Sequence, residues 1–425
     1  MESRSVVWRP TWKPPRKVES TCSSDFPCGI LHIRCNQGET GSGLPFLPNS
    51  PGRYLRMIYR PFGKTGKSVS VIGMGGMRFK KEDYAQGDYT RAVAVVHKAH
   101  EMGINYFDTA PGYCDDTSEK IYGEAFKTMD RSTYYVSTKC GLWNARTAKE
   151  GRKMIDQSLE RLGVGTIDFY NMWSVKTLDD YREYLKKGGV YEGALEAQRE
   201  GLISHICFTT HLNGEDIAKV AHDDIFEAVT LGYNAINFAY RQKGIDACHD
   251  AGLGIVTMNP LGGGIIPAHP DYFSFLKQGD SSLAVSALRF ILSQNKATLA
   301  IPGFSTVEEV QESVLAAQDL QPVPDGYLDD MAAHLTSELN SLCTTCSYCD
   351  SCPEEVPIPK LLDSYNMHIL SGGDDQQMFA RMKNHWGVDP ELAAKCIACG
   401  QCEPLCTQKL PIIERLEYIA NASRH

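Results

Sequence analysis

From residue 57 to about residue 320 the chain alternates short apolar runs with longer stretches in which apolar residues recur every three or four positions. The runs VSVIG (69–73), INYF (104–107), YYVST (134–138), IDFYNM (167–172), ISHICF (203–208), AVTL (228–231), GIVTM (254–258) and TLAI (298–301) read as strands. Helical patterns follow them, as in YTRAVAVVHKAHEM (89–102), AKEGRKMIDQSLERL (148–162) and SLAVSALRFILSQ (282–294). Eight such units in roughly 265 residues predict an α/β fold of the (β/α)8 TIM barrel type, with its chemistry on the loops that follow the strands. A doubly wound sheet would carry a GxGxxG turn after its first strand, and GMGGM (73–77) lacks that spacing.

The flanks of this block are different in kind. Residues 1–56 hold eight Lys/Arg against four Asp/Glu, with scattered Pro, Gly and Ser and no period that could bury a face, which predicts a disordered N-terminal extension. Its Cys22, Cys28 and Cys35 read as thiols without ligand partners. Met57 opens the first coherent block, so the upstream stretch reads as the product of a start codon placed too early. After the block, which spans 57–320, the turn-rich QPVPDGY predicts a linker over 321–336, because its prolines cannot continue a helix. A second domain is expected over 337–425.

Composition narrows the class. The 425 residues are 42% apolar and 22% charged, ordinary globular values. No run approaches the ~18 to 20 apolar residues of a membrane span, and the first residues lack a secretory apolar stretch, so a soluble cytoplasmic protein is expected. A formal charge of -9 argues against binding nucleic acid through its phosphates. A small-molecule substrate is the expected partner.

Eight of the fifteen cysteines fall in two clusters. Cys343, Cys346, Cys349 and Cys352 are spaced CxxCxxCxxCP, and Cys396, Cys399, Cys402 and Cys406 are spaced CxxCxxCxxxC. Without an export signal such clusters read as metal ligands rather than disulfides. Three thiolates three residues apart can wrap one iron–sulfur cube while a fourth arrives from elsewhere. Zinc takes two ligands per CxxC knuckle, which would leave the others surplus. The segment resembles a bacterial-type ferredoxin. The helix-like sequence between its motifs (PKLLDSYNMHIL, QQMFARM, PELAAK) is closer to the α-helical ferredoxin of succinate dehydrogenase iron–sulfur subunits, which implies a small, mainly α-helical ferredoxin-like domain. The resemblance implies that Cys343, Cys346, Cys349 and Cys406 hold one [4Fe-4S] cluster and Cys352, Cys396, Cys399 and Cys402 a second. The first motif is one residue short before its last cysteine, and Thr407 stands where the family has proline, so one cluster and two both stay open.

In the barrel block, YRPFGKTGKSVSVIGMGG, GINYFDTAPGY, the STK strand end, DFYNMW, NPLGGG and IPGFSTVEEVQES occur in the order that resembles the aldo/keto reductases. With the cysteine domain appended, 57–425 resembles the iron–sulfur branch of that superfamily. By motif position Asp108, Tyr113 and Lys139 match the family's catalytic Asp, Tyr and Lys. A carbonyl that gains a hydride at carbon must gain a proton at oxygen. Tyr113 would donate it, Lys139 would stabilise the developing phenolate against a reference pKa near ~10, and Asp108 would orient the lysine. Singly, the three could be a turn cap, a core ring and a solvated charge. The family's fourth catalytic residue is a histidine, and Trp173 occupies its position; indole donates one hydrogen bond and cannot shuttle a proton. His211, at the end of ISHICFTT, could supply an imidazole or be an ordinary polar loop residue.

The resemblance also implies a nicotinamide cofactor. Thr209 and Thr210 stand where the family binds the carboxamide, Thr230 where it has Gln, and Met258 where an aromatic stacks on the ring. Pro260, Leu261, Gly262 and Gly264, together with Pro302 and Gly303, offer close backbone approach to a pyrophosphate. The family's basic positions for the extra phosphate of NADP read Gly303 and Glu309, which favours NAD. The function implied is an NAD(P)H-linked oxidoreductase of a small carbonyl or alcohol, with clusters exchanging electrons with a protein partner. Because a cluster moves one electron and a nicotinamide moves a hydride, direct exchange needs a flavin relay or a structural role for the iron. A catalytically weakened barrel, serving as a binding or redox-sensing module with structural clusters, is the alternative that Trp173 favours.

Overall fold

The computed structural model describes residues 56–318, 320–333, 342–343, 348–406 and 408–424. The N-terminal extension, apart from Arg56, and Cys346 lie outside the described residues, as do 334–336 at the end of the expected linker. Eight parallel strands are ordered in space as in sequence: β1 (Met74–Gly75), β2 (Tyr106–Asp108), β3 (Tyr135–Gly141), β4 (Ile167–Val175), β5 (Ile203–Thr210), β6 (Ala228–Gly232), β7 (Gly254–Met258) and β8 (Leu299–Ile301). The bridges Ile72–Ala300 and Gly75–Gly303 join first strand to last, with the Gly75 amide donating to Pro302 O at 2.9 Å. The sheet therefore closes into the expected (β/α)8 barrel. All nine residues of β4 are buried, as required where a strand has packed layers on both faces.

The first strand differs from the sequence expectation. Ser68–Ser70 pairs antiparallel with Tyr59–Pro61, and the barrel pairing begins only at the Ile72–Ala300 bridge, with the strand itself at Met74–Gly75. An apolar run announces an extended segment; whether its partner is a hairpin neighbour or a barrel strand depends on distant residues. The hairpin brings Phe62 to the N-terminal end of the strands, where it packs edge-on to Phe169 and Tyr106 at 4.8 and 5.7 Å. A Cβ on Gly254 would lie 2.5 Å from the Phe62 ring, so this position has room only for glycine. The floor of the barrel is thus sealed, and the open end lies at the strand C-termini.

The outer helices follow their apolar period. Helix Ala148–Leu162 buries Gly151, Ile155, Ser158 and Leu162, starts with a capping box between Thr147 and Glu150, and ends at Gly163 in the left-handed region. Helix Leu283–Leu292 is buried along almost its whole surface. Part of its cover is a helix inside the expected linker, Tyr327–Ala333, whose Tyr327, Leu328 and Met331 pack on the barrel core. Apolar residues at that spacing form one helical face despite the prolines that precede them.

Beyond the barrel, helices Ile358–Leu370, Asp375–Arg381 and Ile412–Ala422 surround a separate core of Leu361, Leu362, Met378, Leu416 and Ile419, to which Cys343, Cys349 and Cys406 also belong. Buried Asp363 ties it together by accepting from Arg381 Nε at 2.6 Å and Trp386 Nε1 at 2.7 Å. Leu342 and Leu370 are buried in the barrel's own hydrophobic cluster, so the helical segment is anchored to the barrel. Among the described residues, no helix is long and apolar enough to cross a membrane.

Candidate active site

Asp108 ends β2, and Lys139 lies two positions beyond its register partner Ser137 in β3, so both side chains reach the C-terminal end of the barrel. Lys139 Nζ donates to both carboxylate oxygens of Asp108, at 2.8 and 2.7 Å, with the two residues only 2% and 3% exposed. Ser137 Oγ donates to Asp108 Oδ1 at 2.8 Å, and Asn171 Nδ2 donates to Ser137 Oγ at 3.0 Å and to Thr138 O at 3.2 Å. A buried ion pair needs such further hydrogen bonds to offset its desolvation. Asn171 was not singled out from sequence; its one visible signal is an amide within the strand run IDFYNM.

Tyr113 comes from the loop after β2. Gly112, Cys114, Asp115 and Asp116 all have positive φ there, and the Gly112 amide donates to Asp116 Oδ1 at 3.0 Å. This turn carries the Tyr113 ring over the ion pair, with Lys139 Nζ 5.4 Å from the ring centroid. Trp173 meets the same ring edge-on at 5.5 Å, and Trp143 leans on Trp173 at 4.7 Å. A Cβ on Gly141 would sit 2.6 Å from the Trp143 indole, so glycine there lets the tryptophan fold over the rim. The three residues expected to act together are therefore together.

The electrostatics differ from the expectation. Burial, followed by Asp108, Tyr348 and Cys114, holds the Tyr113 phenol well above its ordinary pKa. Lys139 is held by Asp108, and in the resting chain the raised value keeps the phenol protonated. A protonated phenol is the form needed to donate to an oxygen that becomes negative.

His211 follows β5 and is 8% exposed, with Nε2 buried and, among the described residues, without a hydrogen-bond partner. Burial and then the charges of Arg241, Lys176 and Lys409 hold this imidazole well below its ordinary pKa. It is therefore neutral in the folded protein, while the unfolded chain takes up a proton as pH falls through about 6.5. The unfolded state then binds more protons, so stability must fall with pH below that point. His211→Gln is expected to remove up to ~1.4 kcal/mol per pH unit of that slope between about pH 6.5 and 5, read by urea unfolding at several pH values. An unchanged slope would take His211 out of the acid response.

The expected cofactor contacts are less uniform. Thr209 Oγ1 accepts from Ser174 N at 2.6 Å, and Thr210 Oγ1 donates to Val175 O at 2.9 Å. Both hydroxyls hold the irregularity in β4 between Met172 and Val175, where Ser174 has φ 62°, so each already has a partner within the chain. Pro260 and Leu261 lead into Gly262, Gly263 and Gly264, three consecutive residues with positive φ that leave their backbone bare of side chains. Pro302 and Gly303 close the barrel against Gly75. The following helix, Val307–Val314, is capped by its own carboxylate: Glu309 Oε2 accepts from Ser305 N at 2.6 Å, where an incoming anion would have to compete. Arg78, which sequence reasoning missed, packs on Gly303, and its carbonyl accepts from Ser305 Oγ at 2.7 Å. The contact is made by its Cβ and Cγ, while its charge lies within electrostatic reach of Cys114.

In the helical segment, Cys352, Cys396, Cys399 and Cys402 line one shallow recess, together with Cys349, Ile397 and Ile413. Cys343 and Cys406 are buried on the other side, both within electrostatic reach of Arg415, and Cys406 Sγ accepts from Leu410 N at 3.4 Å. Asn366 pins Cys343 by exchanging two 2.8 Å hydrogen bonds with its backbone. Among the described residues, no three potential ligands already stand as a metal-holding group. Soft thiols that converge on one recess suit the chemistry of an iron–sulfur site.

Residues 71–327 match the family model described as the aldo/keto reductase family. L-galactose dehydrogenase of Arabidopsis thaliana is 26% identical over 290 residues, covering 62% of this chain and 88% of that protein. The NADH-specific methylglyoxal reductase of Escherichia coli is 26% identical over 225 residues, covering 48% of this chain and 68% of that protein. Among solved structures, the holo form of an aldo-keto reductase from Bacillus halodurans superposes with a TM-score of 0.56 at 20% identity, covering 66% of this chain and 97% of that one, a likeness of fold. A closed eight-stranded barrel, an acid–lysine pair at its strand ends and a family match that runs nearly the whole length of that barrel lead to one assignment: this chain belongs to the aldo/keto reductase family.

Proposed function

We propose that the protein is an NAD(P)H-linked oxidoreductase that interconverts a small carbonyl compound and its alcohol at the open end of the barrel. The observation that carries this reading is the buried Asp108–Lys139 pair beneath the Tyr113 ring. The bound nicotinamide supplies a hydride to the carbonyl carbon. Tyr113 Oη gives its proton to the carbonyl oxygen, and the Lys139 ammonium, held by Asp108, lies close enough to stabilise the phenolate left behind. In the reverse direction the phenolate recovers that proton from the alcohol. The bare backbone at Gly262–Gly264 suits a pyrophosphate. The acids Glu308 and Glu309 in the first turn of the helix beyond Gly303 oppose an additional phosphate and favour NADH, as does the similarity to an NADH-specific reductase.

The thiols form the second half of the proposal. Cys343, Cys346, Cys349 and Cys406 would hold one [4Fe-4S] cluster, and Cys352, Cys396, Cys399 and Cys402 the other; a bound cluster supplies one-electron transfer to a protein partner. Iron and acid-labile sulfide on anaerobically purified protein, with EPR before and after NADH, are the test. About four or eight iron atoms per chain with matching sulfide are expected. Zinc, or iron without sulfide, would overturn the cluster assignment. A second reading, a binding or redox-sensing barrel, is favoured by Trp173 and by the occupied hydroxyls of Thr209 and Thr210. It requires that NADH give no saturable quenching of the tryptophans and that no carbonyl probe be reduced.

A further inference from the structure

One residue of the cysteine segment does not stay within it. Tyr348, directly before Cys349, stands against the barrel: its ring meets the His211 imidazole edge-on at 4.9 Å, and Lys176 Nζ lies 5.3 Å from its centroid. Its phenol is also near enough to Tyr113 to act on it electrostatically. His211 and Lys176 follow β5 and β4, and Tyr113 lies in the loop after β2, so Tyr348 stands at the C-terminal end of the strands, against the β4 and β5 rims and within electrostatic reach of Tyr113. Lys409, beyond the last motif cysteine, also reaches His211 electrostatically. This is the end of the barrel where a substrate must enter, and the side chain that covers it comes from outside the barrel. The anchoring of Leu342 and Leu370 in the barrel's cluster makes the placement a packed one.

We propose that Tyr348 is a wall of the barrel's substrate site, a specificity-determining residue supplied by the cysteine segment, which holds the His211 ring so that its unpartnered Nε2 is presented to the substrate oxygen. The inference rests on the open end of the barrel being the reaction site. It accounts for two observations together: a nine-tenths buried imidazole nitrogen left without a partner, and a tetrad position that has become Trp173. A buried donor with no partner is costly unless a ligand completes it. Tyr348 acts on that nitrogen through ring contact, as a positioning residue. Because the wall and the barrel belong to different segments, the substrate range of this chain is set jointly by both.

The test uses the full chain and para-nitrobenzaldehyde, with binding read by quenching of the Trp143–Trp173 pair and turnover read by NADH consumption. Tyr348→Ala is expected to weaken aldehyde binding and raise its KM about tenfold, with NADH quenching and kcat each changed by less than about twofold. Tyr348→Phe keeps the ring and is expected to stay within about twofold of the parent chain. In a His211→Gln background the Tyr348→Ala effect should vanish, because the two act on one contact. If the alanine variant loses helical circular dichroism, Tyr348→Leu replaces it with the same expectation. Equal aldehyde affinity in parent and ring-deleted chains, or full additivity with His211→Gln, overturns the proposal, as does a parent chain that binds no aldehyde. Saturable binding that responds to Tyr348 without any turnover would leave the wall standing and overturn the oxidoreductase reading instead.

Discussion

Tyr113→Phe is expected to lower kcat for carbonyl reduction by about 10²- to 10⁴-fold, the usual worth of a positioned general acid, while NADH binding and iron content stay at parental levels. The substitution removes one hydroxyl and keeps the ring that packs on Trp173, so folding should be preserved. Because burial and Asp108 raise the phenol above its ordinary value, the parent enzyme should hold its acid protonated throughout the neutral range. The sign follows directly: a group with a raised pKa loses its proton later, so any alkaline loss of activity owed to Tyr113 must fall above about pH 10. Single-turnover rates across pH measure both points. Equal turnover in the phenylalanine variant would remove Tyr113 from the mechanism, and a limb near pH 8 would assign the titration to another group.

Lys139→Met should be the most damaging single change to stability, costing about 3–5 kcal/mol, because it strands the Asp108 carboxylate in a site with side-chain exposures of 3% and 5% across the pair. Removing both charges, as Asp108→Leu with Lys139→Met, should recover a large part of that loss, since a buried pair replaced by apolar side chains is often neutral. Activity should not recover, because neither variant retains an ammonium beside Tyr113. Urea unfolding of the two single variants and the double variant closes the cycle. If the double variant were as unstable as the sum of the singles, the pair would not be interacting as its 2.7 and 2.8 Å distances require.

These expectations depend on how the residues came to be identified. Asp108, Tyr113 and Lys139 were legible because each lies at or near an expected strand end and matches, by motif position, the Asp, Tyr and Lys that the aldo/keto reductase resemblance implies. Asn171 was missed because an amide in a buried strand carries no sign of its partner, and its partners Ser137 and Thr138 lie on the neighbouring strand. Thr209 and Thr210 point the other way. Motif position suggested hydroxyls free for a carboxamide, and the fold engages them at the turn of backbone beside Ser174. The run VSVIG was read as a single barrel strand, whereas Val69 and Ser70 pair in the hairpin and only Val71 to Gly73 bond to Ala300 of the last barrel strand, since alternation along a chain does not name the strand across from it.

By itself, then, the sequence determined the alternation of strand and helix, the barrel those units build, the acidic, phenolic and basic side chains near their ends and the grouping of eight thiols in two motifs. All of these are written in neighbours a few positions apart, where periodicity and spacing act. Only the tertiary structure decided that Asp108 holds Lys139 while the phenol stays protonated, that Arg78 reaches Gly303, and that Tyr348 crosses to His211 from the cysteine segment. These contacts join residues far apart in the chain, and burial sets their strength; neither distance nor desolvation exists until the barrel has closed and the helical segment has packed against it.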